Sequence, residues 1–217
     1  MEIIRCTRCH NTSDKCTLSS GTFRKIRDAL ARGALLVYPT DTLYGIAAAA
    51  RDKAAVEKLV RLKGRRSPIS IAVHSLAAAK EFAVVDRATE KMLQRFLPGA
   101  LTVLLPASPL ARKKLHGALV SDQGLVGIRV PRHPLALRLA KAVPVTATSA
   151  NRSGVPAAKS VAGAVAQLGD GIEFYIACSV MPAGAPSTVV RIGMTGLKVL
   201  REGIIPREIL EAEGHAH

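Results

Sequence analysis

Apolar and polar positions follow two alternating patterns along this chain. In several segments after residue 20, apolar residues recur every three or four positions, which predicts amphipathic helices. Between these segments lie short runs of Val, Ile and Leu bounded by Gly, Pro or polar residues, which predict buried strands. This alternation predicts an α/β protein with a twisted sheet of mixed parallel and antiparallel strands, covered by helices.

Capping residues mark the ends of the first two helices. One helix begins near Ser20, which serves as its N-cap, and ends at Gly33; a second follows Asp52 and ends at Gly64. Further helices are predicted over residues 76–82, 87–96, 134–142 and 160–168, and after Pro206. Strands are predicted over residues 34–38, 69–73, 101–105, 126–130, 143–147, 174–177, 187–192 and 197–200.

The pattern predicts one main domain. Residues 1–18 are polar and show no periodicity, so we expect an unstructured N-terminal appendage, a single domain over 19–211 and a tail over 212–217. No apolar run is long enough to cross a bilayer, and the start lacks the apolar core of a signal peptide, so the sequence favours a cytoplasmic protein with no membrane partner.

Two loops carry most of the candidate chemistry. Residues 39–45 and 146–154 each place small hydroxyl and amide side chains directly after an apolar strand. Ligand-binding groups of α/β proteins collect at this end of their strands. The basic segment Lys63-Gly64-Arg65-Arg66 lies between the two loops in the sequence, so the three segments together predict a pocket for a polar, anionic ligand.

Charged residues near other strand ends extend this picture. Arg129 lies near the end of a buried strand, where its guanidinium needs a carboxylate partner, either from the protein or from a ligand. Ser187 opens one late strand and Arg201 closes the next. His74 follows a strand and is either a base, a ligand contact or a surface residue.

Several enzyme classes are not indicated. The chain has no P-loop, no strand-linked G-x-G-x-x-G and no G-x-S-x-G nucleophile turn. Bound phosphates would therefore be held by cationic side chains, and the site is suited to orienting substrates. The formal charge of +15 predicts polyanion partners, whereas the aromatic content of 3% argues against a base-stacking platform.

The cysteines near the start leave two interpretations open. Cys6, Cys9, His10 and Cys16 could close a zinc site, although their spacing is unusual, or they could lie in an exposed basic N-terminus. Cys178 lies in an apolar segment and is expected in the core.

Seven motifs occur in the order seen in one known family. They are residues 39–45, 62–65, 98–102, 126–131, 149–154, 187–189 and 200–203. With them the chain resembles the YrdC-like threonylcarbamoyl-AMP synthases, in their short single-domain form, from about residue 20 to 206. The resemblance implies the YrdC-like fold and a nucleotidyltransferase that forms threonylcarbamoyl-AMP and pyrophosphate from L-threonine, bicarbonate or CO2, and ATP.

The resemblance also implies residue roles. Threonine would be bound by Thr42, Arg129, Ser149 and Ser187. The nucleotide would be bound by Lys63, Arg65, Asn151 and Arg201, with Lys63 and Arg65 acting on the phosphates during catalysis. His74 and Lys159 are further candidates, and Asp41 stands where many relatives have Glu.

The implied cofactor is Mg2+ bound with ATP, with Zn2+ possible only at the N-terminus. The implied partners are a downstream threonylcarbamoyl-transferase complex and tRNA or double-stranded RNA. Two alternatives stay open: a non-catalytic module that binds double-stranded RNA or ribosomes, and carbamoyl-adenylate handling of the hydrogenase-maturation type.

Overall fold

A mixed β-sheet organises the computed structural model of this protein. The structure describes residues 1–6, 17–64, 68–178, 182–193 and 196–214. Within them the strands form one ten-stranded sheet in the order β1-β8-β2-β3-β7-β4-β6-β5-β9-β10. The strands are β1 (Glu2–Arg5), β2 (Leu36–Tyr38), β3 (Gly45–Ala47), β4 (Ser70–Ala72), β5 (Leu101–Pro106), β6 (Leu125–Arg129), β7 (Val145–Ser149), β8 (Phe174–Ala177), β9 (Thr188–Gly193) and β10 (Gly196–Arg201).

Helices connect these strands. They are α1 (Ser20–Ala31), α2 (Lys53–Lys63), α3 (Leu76–Ala79), α4 (Arg87–Leu93), α5 (Pro109–Lys114), α6 (Pro134–Ala142), α7 (Val161–Leu168) and α8 (Arg207–Gly214), with a 3-10 turn at Gly169–Gly171. Parallel pairs such as β4–β6 and β5–β9 alternate with antiparallel pairs such as β3–β7 and β5–β6. The predicted mixed sheet is therefore confirmed.

The core lies on both faces of the sheet. Successive strand residues enter different clusters: Val37 joins the cluster that includes residues of α2, α4 and α7, whereas Leu36 and Tyr38 join the cluster that includes α1 and α6. This division follows from the two-residue period of a strand, which sends neighbouring side chains to opposite faces. Cys178 is buried in the second cluster, as expected.

Capping explains where the helix that bears Lys63 begins and ends. The Asp52 carboxylate accepts hydrogen bonds from the backbone N–H groups of Ala54 and Ala55, and Gly64 ends the helix with φ 74°, in the left-handed region that favours glycine. For α1 the sequence places the cap one residue too late, because the side chain that accepts from Thr22 N is that of Ser19.

Three elements differ from the sequence prediction. The expectation of an unstructured N-terminus is wrong for Glu2–Arg5, which pairs in parallel with β8. Strand β3 was not predicted, because Gly45-Ile46-Ala47 is too short and contains too many small residues to show a strand pattern. Helix α5 escapes prediction for a similar reason, since its six residues carry one buried side chain, Ala111. The predicted domain bounds at 19 and 211 stay a prediction, and α8 continues past residue 211 to Gly214.

No helix in the described ranges is long and apolar enough to cross a membrane.

Candidate active site

A cavity of about 470 Å³ opens beside the middle strands of the sheet. It brings together side chains from distant parts of the sequence, on β2–β3, α2, β6, β7 and the β9–β10 hairpin. Of the predicted site residues it is lined by Thr42, Lys63, Arg129, Ser149, Asn151, Ser187 and Arg201.

The loop between β2 and β3 is shaped by one hydroxyl. Thr40 Oγ1 accepts from the N–H groups of Thr42 and Leu43 and donates to the carbonyl of Leu43 at 2.6 Å. Such local bonds let a threonine hold a turn without regular structure. The turn presents the buried Thr42 side chain to the cavity, 3.0 Å from Thr40 Oγ1.

Arg129 has a protein carboxylate as its partner. Its Nη2 donates to Asp41 Oδ1 at 2.8 Å and to Thr42 Oγ1 at 2.7 Å. The residue is 8% exposed, and its Nε is buried without a hydrogen-bond partner among the described residues. Buried polar groups are rarely left in this state, so this Nε–H is a donor that the described residues do not satisfy.

Lys63 lies at the last turn of α2 and is also 8% exposed. Its Nζ donates to the backbone carbonyls of Ser149 at 2.8 Å and Asn151 at 3.0 Å. Carbonyl oxygens orient an ammonium without neutralising it, so these two bonds fix a positive charge at the cavity wall.

The loop after β7 is held by its own amide. Asn151 Nδ2 donates to the carbonyls of Arg152 and Val155, while Asn151 Oδ1 accepts from the Ser149 hydroxyl. Ala150 N also donates to Tyr44 O at 2.8 Å, which ties this loop to the one that carries Thr42.

The β9–β10 hairpin closes the cavity on the other side. Arg201 Nη2 donates to the carbonyl of Ser187 at 2.9 Å, and the Ser187 hydroxyl lies 2.9 Å from Thr102 Oγ1. Gly203 makes this approach possible, because a Cβ at that position would lie 2.2 Å from Pro186 O and 2.6 Å from the carbonyl carbon of Ser187.

The cavity is electropositive. Burial lowers the pKa of Arg201 from its usual value, and the nearby Arg129 charge lowers it further. Two guanidinium groups that sense each other favour an anion between or beside them. Burial raises the pKa of Tyr38, another cavity residue, to about 12, so its phenol stays protonated at ordinary pH.

The remaining predicted residues fall elsewhere. His74 and Lys159 are exposed and do not line the cavity. Arg65, Cys9, His10 and Cys16 lie outside the described residues, so the catalytic assignment of Arg65 and the zinc interpretation stay predictions. Cys6 is half-buried and packs against the α1–α6 core cluster. No group of three metal-ligating side chains occurs within the part of the chain that the structure describes.

Sequence reasoning missed three polar residues of the site. Thr40, Asp41 and Thr102 all lie in motifs that the sequence singles out, yet their contacts are with residues far away or with the local backbone. The signal for Asp41 was its place in motif 39–45, at a position where many relatives have Glu.

Comparison with known proteins identifies the family of this chain. The model of the Sua5/YciO/YrdC family, described as "Telomere recombination", matches residues 28–203. A putative threonylcarbamoyl-AMP synthase of Methanocaldococcus jannaschii is 31% identical over 183 residues, covering 83% of this chain and 85% of that protein. Another from Mycobacterium leprae is 37% identical over 180 residues, covering 81% and 80%.

A solved structure is similar across nearly the whole chain. The crystal structure of Pyrococcus abyssi Sua5 complexed with L-threonine superposes with a TM-score of 0.86 at 28% identity, covering 98% of this chain and 61% of that one. The matched motifs, fold and relatives agree, and this chain belongs to the Sua5/YciO/YrdC family.

Proposed function

We propose that this protein is an L-threonylcarbamoyl-AMP synthase, which joins L-threonine, bicarbonate or CO2, and ATP and releases pyrophosphate. The relatives that carry this name span most of the chain, and the similar Sua5 structure is a complex with L-threonine. The product would feed threonylcarbamoyl modification of adenosine in tRNA through a downstream transferase complex.

The observation that carries the proposal is the unsatisfied Nε donor of Arg129, next to an Nη2 that already donates to Asp41 and Thr42. Among the described residues its buried Nε has no hydrogen-bond partner, and the Thr42 hydroxyl lies 2.7 Å from the neighbouring Nη2. A carboxylate accepts from guanidinium donors in this arrangement, and the amino-acid substrate brings one. Thr42 and Ser187 are the proposed hydroxyl contacts of threonine on either side of this group.

The cationic side chains of Lys63 and Arg201 form the proposed site of the nucleotide. Lys63 is already oriented by two carbonyls, and Arg201 is held by the carbonyl of Ser187. Arg65 and Asn151 are proposed to join them. Positive charge fixed in advance of the reaction stabilises the phosphates as negative charge moves onto pyrophosphate, without reorganisation at that moment.

The reaction then needs two bond changes in one cavity. The neutral threonine amine attacks the carbon of CO2, forming a carbamate and releasing one proton. A carbamate oxygen next attacks the α-phosphorus of ATP, and the bond to the leaving pyrophosphate breaks. Arg129 would orient the amino acid and Lys63 the phosphates, so proximity replaces two bimolecular encounters.

Magnesium is proposed to enter with ATP. Mg2+ is usually bound by one or two carboxylates together with substrate phosphates and water. Asp41 is a carboxylate at this site, but it is paired with Arg129. The described residues around the cavity therefore do not form a protein-built Mg2+ site, and the phosphates would supply its ligands.

The test is pyrophosphate release from ATP with Mg2+, with and without L-threonine and bicarbonate. Release should require both co-substrates and fall at least about a hundredfold in Lys63→Ala and in Arg129→Ala. Arg61→Ala is the matched control, because Arg61 lies on the same helix as Lys63 with its side chain 77% exposed. A folded protein that binds ATP but releases no pyrophosphate above background would contradict the proposal. That result would favour the alternative of a non-catalytic RNA-binding module.

A further inference from the structure

The half-buried side chain of His116 ties helix α2 to the loop before β6, outside the cavity. Its Nε2 lies 3.0 Å from Glu57 Oε2, and its Nδ1 accepts from the backbone N–H of Ala118 at 3.0 Å. Because Nδ1 accepts, the neutral ring carries its proton on Nε2 and donates it to Glu57. Both nitrogens are thus used, each toward a different element.

Glu57 is a charged partner for this imidazole. Its other oxygen accepts from Arg61 Nε at 3.0 Å. Hydrogen bonds from Arg61 and then from His116 lower the pKa of Glu57, so the carboxylate is ionised under working conditions. The side chains of Glu57 and His116 are 30% and 21% exposed, and a pair this accessible to water contributes little to stability. Its importance lies in what it connects.

The connection forms a path of contacts between two walls of the cavity. Ala118 O accepts from the N–H of Ile69 at 2.7 Å, directly before β4. Ile69 lines the cavity, and so does Lys63, at the end of the helix that carries Glu57. The path from Lys63 back along α2 to Glu57, through His116 and Ala118, ends at Ile69.

We propose that His116 is a positioning residue that holds Lys63 at its place relative to the β4 wall of the cavity. It touches neither the cavity nor the proposed substrates, and it acts through Glu57 on one side and Ala118 on the other. The inference rests on the proposed function, in which Lys63 binds the phosphates of ATP.

Removing the His116 side chain is expected to affect the binding of ATP but not the binding of threonine. Without the His116 links, the end of α2 can shift relative to β4, and small displacements of an orienting group are costly. Arg129 and Thr42 are held by their own contacts with Asp41 and Thr40. His116→Ala should therefore weaken ATP binding and raise the KM for ATP about tenfold, while the KM for threonine stays within about twofold.

Two conservative variants separate the two links. His116→Asn can keep an acceptor for Ala118 N but loses the donor to Glu57, whereas His116→Gln can keep a donor toward Glu57 but loses the acceptor. Each should recover part of the loss seen in His116→Ala. The readouts are the affinity for a non-hydrolysable ATP analogue, measured by calorimetry, and the KM for each substrate.

Arg61→Ala is the control, since it removes the other partner of Glu57 and leaves His116 in place. Wild-type analogue affinity in His116→Ala, or equal rises in the KM for ATP and threonine, would overturn the inference. If His116→Ala does not fold, wild-type affinity in both the Asn and Gln variants overturns it. Absence of threonine-dependent turnover in the wild type would instead count against the proposed function, and analogue binding would still test the positioning role.

Discussion

The ion pair between Asp41 and Arg129 gives the sharpest test of how the site is built. Asp41→Ala removes the carboxylate and leaves a guanidinium whose side chain is 10% exposed, with the Asp41 side chain itself 13% exposed. Removing one partner of a buried pair costs about 3–5 kcal/mol, and the residual water access here favours the lower end. A loss of about 3 kcal/mol lowers the melting temperature of a protein this size by about 9 °C.

Threonine should restore part of that loss. In the variant, the substrate carboxylate would neutralise a buried charge that has lost its carboxylate partner, whereas in the wild type Asp41 already does so. A ligand stabilises the folded state by an amount that grows with the logarithm of its concentration over its Kd. Saturating L-threonine should therefore raise the melting temperature of Asp41→Ala by more than that of the wild type. Urea and thermal unfolding, each with and without threonine, measure both quantities.

A matched variant shows what an exposed pair contributes. Asp28→Ala removes a carboxylate paired with Arg27, but those side chains are 43% and 47% exposed. It should cost less than about 1 kcal/mol. The reasoning fails if Asp41→Ala is as stable as Asp28→Ala, or if threonine stabilises the wild type and Asp41→Ala equally.

Two further substitutions test other parts of the cavity. Gly203→Ala should cost about 1–3 kcal/mol and reduce turnover, because its Cβ would collide with the backbone of Pro186 and Ser187; unchanged urea unfolding and kinetics would contradict this. The pKa of Tyr38 is raised from 10.0 to about 12, so the unfolded phenol ionises first and wild-type stability should fall from pH 10 to 12. Tyr38→Phe removes this contribution, so its free energy of unfolding, measured in urea, should fall less over that range. Part of the fall should remain, because the pKa of Tyr175 is also raised to about 12.

Local signals in the sequence predicted most of the elements. Pro134–Ala142 and Phe174–Ala177 have the predicted bounds, and Asp52 and Gly64 cap α2 as expected. These predictions succeed because proline, glycine and capping side chains act on the backbone within a few residues. Strand β1 depends instead on pairing with β8, 172 positions away between Glu2 and Phe174, and no local pattern reports that.

For the candidate site, too, the sequence predicted which residues take part but not their long-range contacts. The motifs contain eight of the proposed residues; seven of them line one cavity, and the eighth, Arg65, lies outside the described residues. The choice between a protein and a ligand carboxylate for Arg129 could not be made from the sequence, because Asp41 is 88 positions away. The orientation of Lys63 was equally hidden, since its partners are backbone carbonyls, which every residue possesses.

The long reach of these contacts has a consequence for synthesis of the protein. Bonds between Lys63 and Ser149, Thr102 and Ser187, and Asp41 and Arg129 span 86, 85 and 88 positions. Such closures are slow to form, because the chain loses much entropy before each contact is made. A nascent chain that has not yet passed Arg201 lacks one wall of the cavity, so the ribosome completes nearly the whole domain before any catalytic pocket exists.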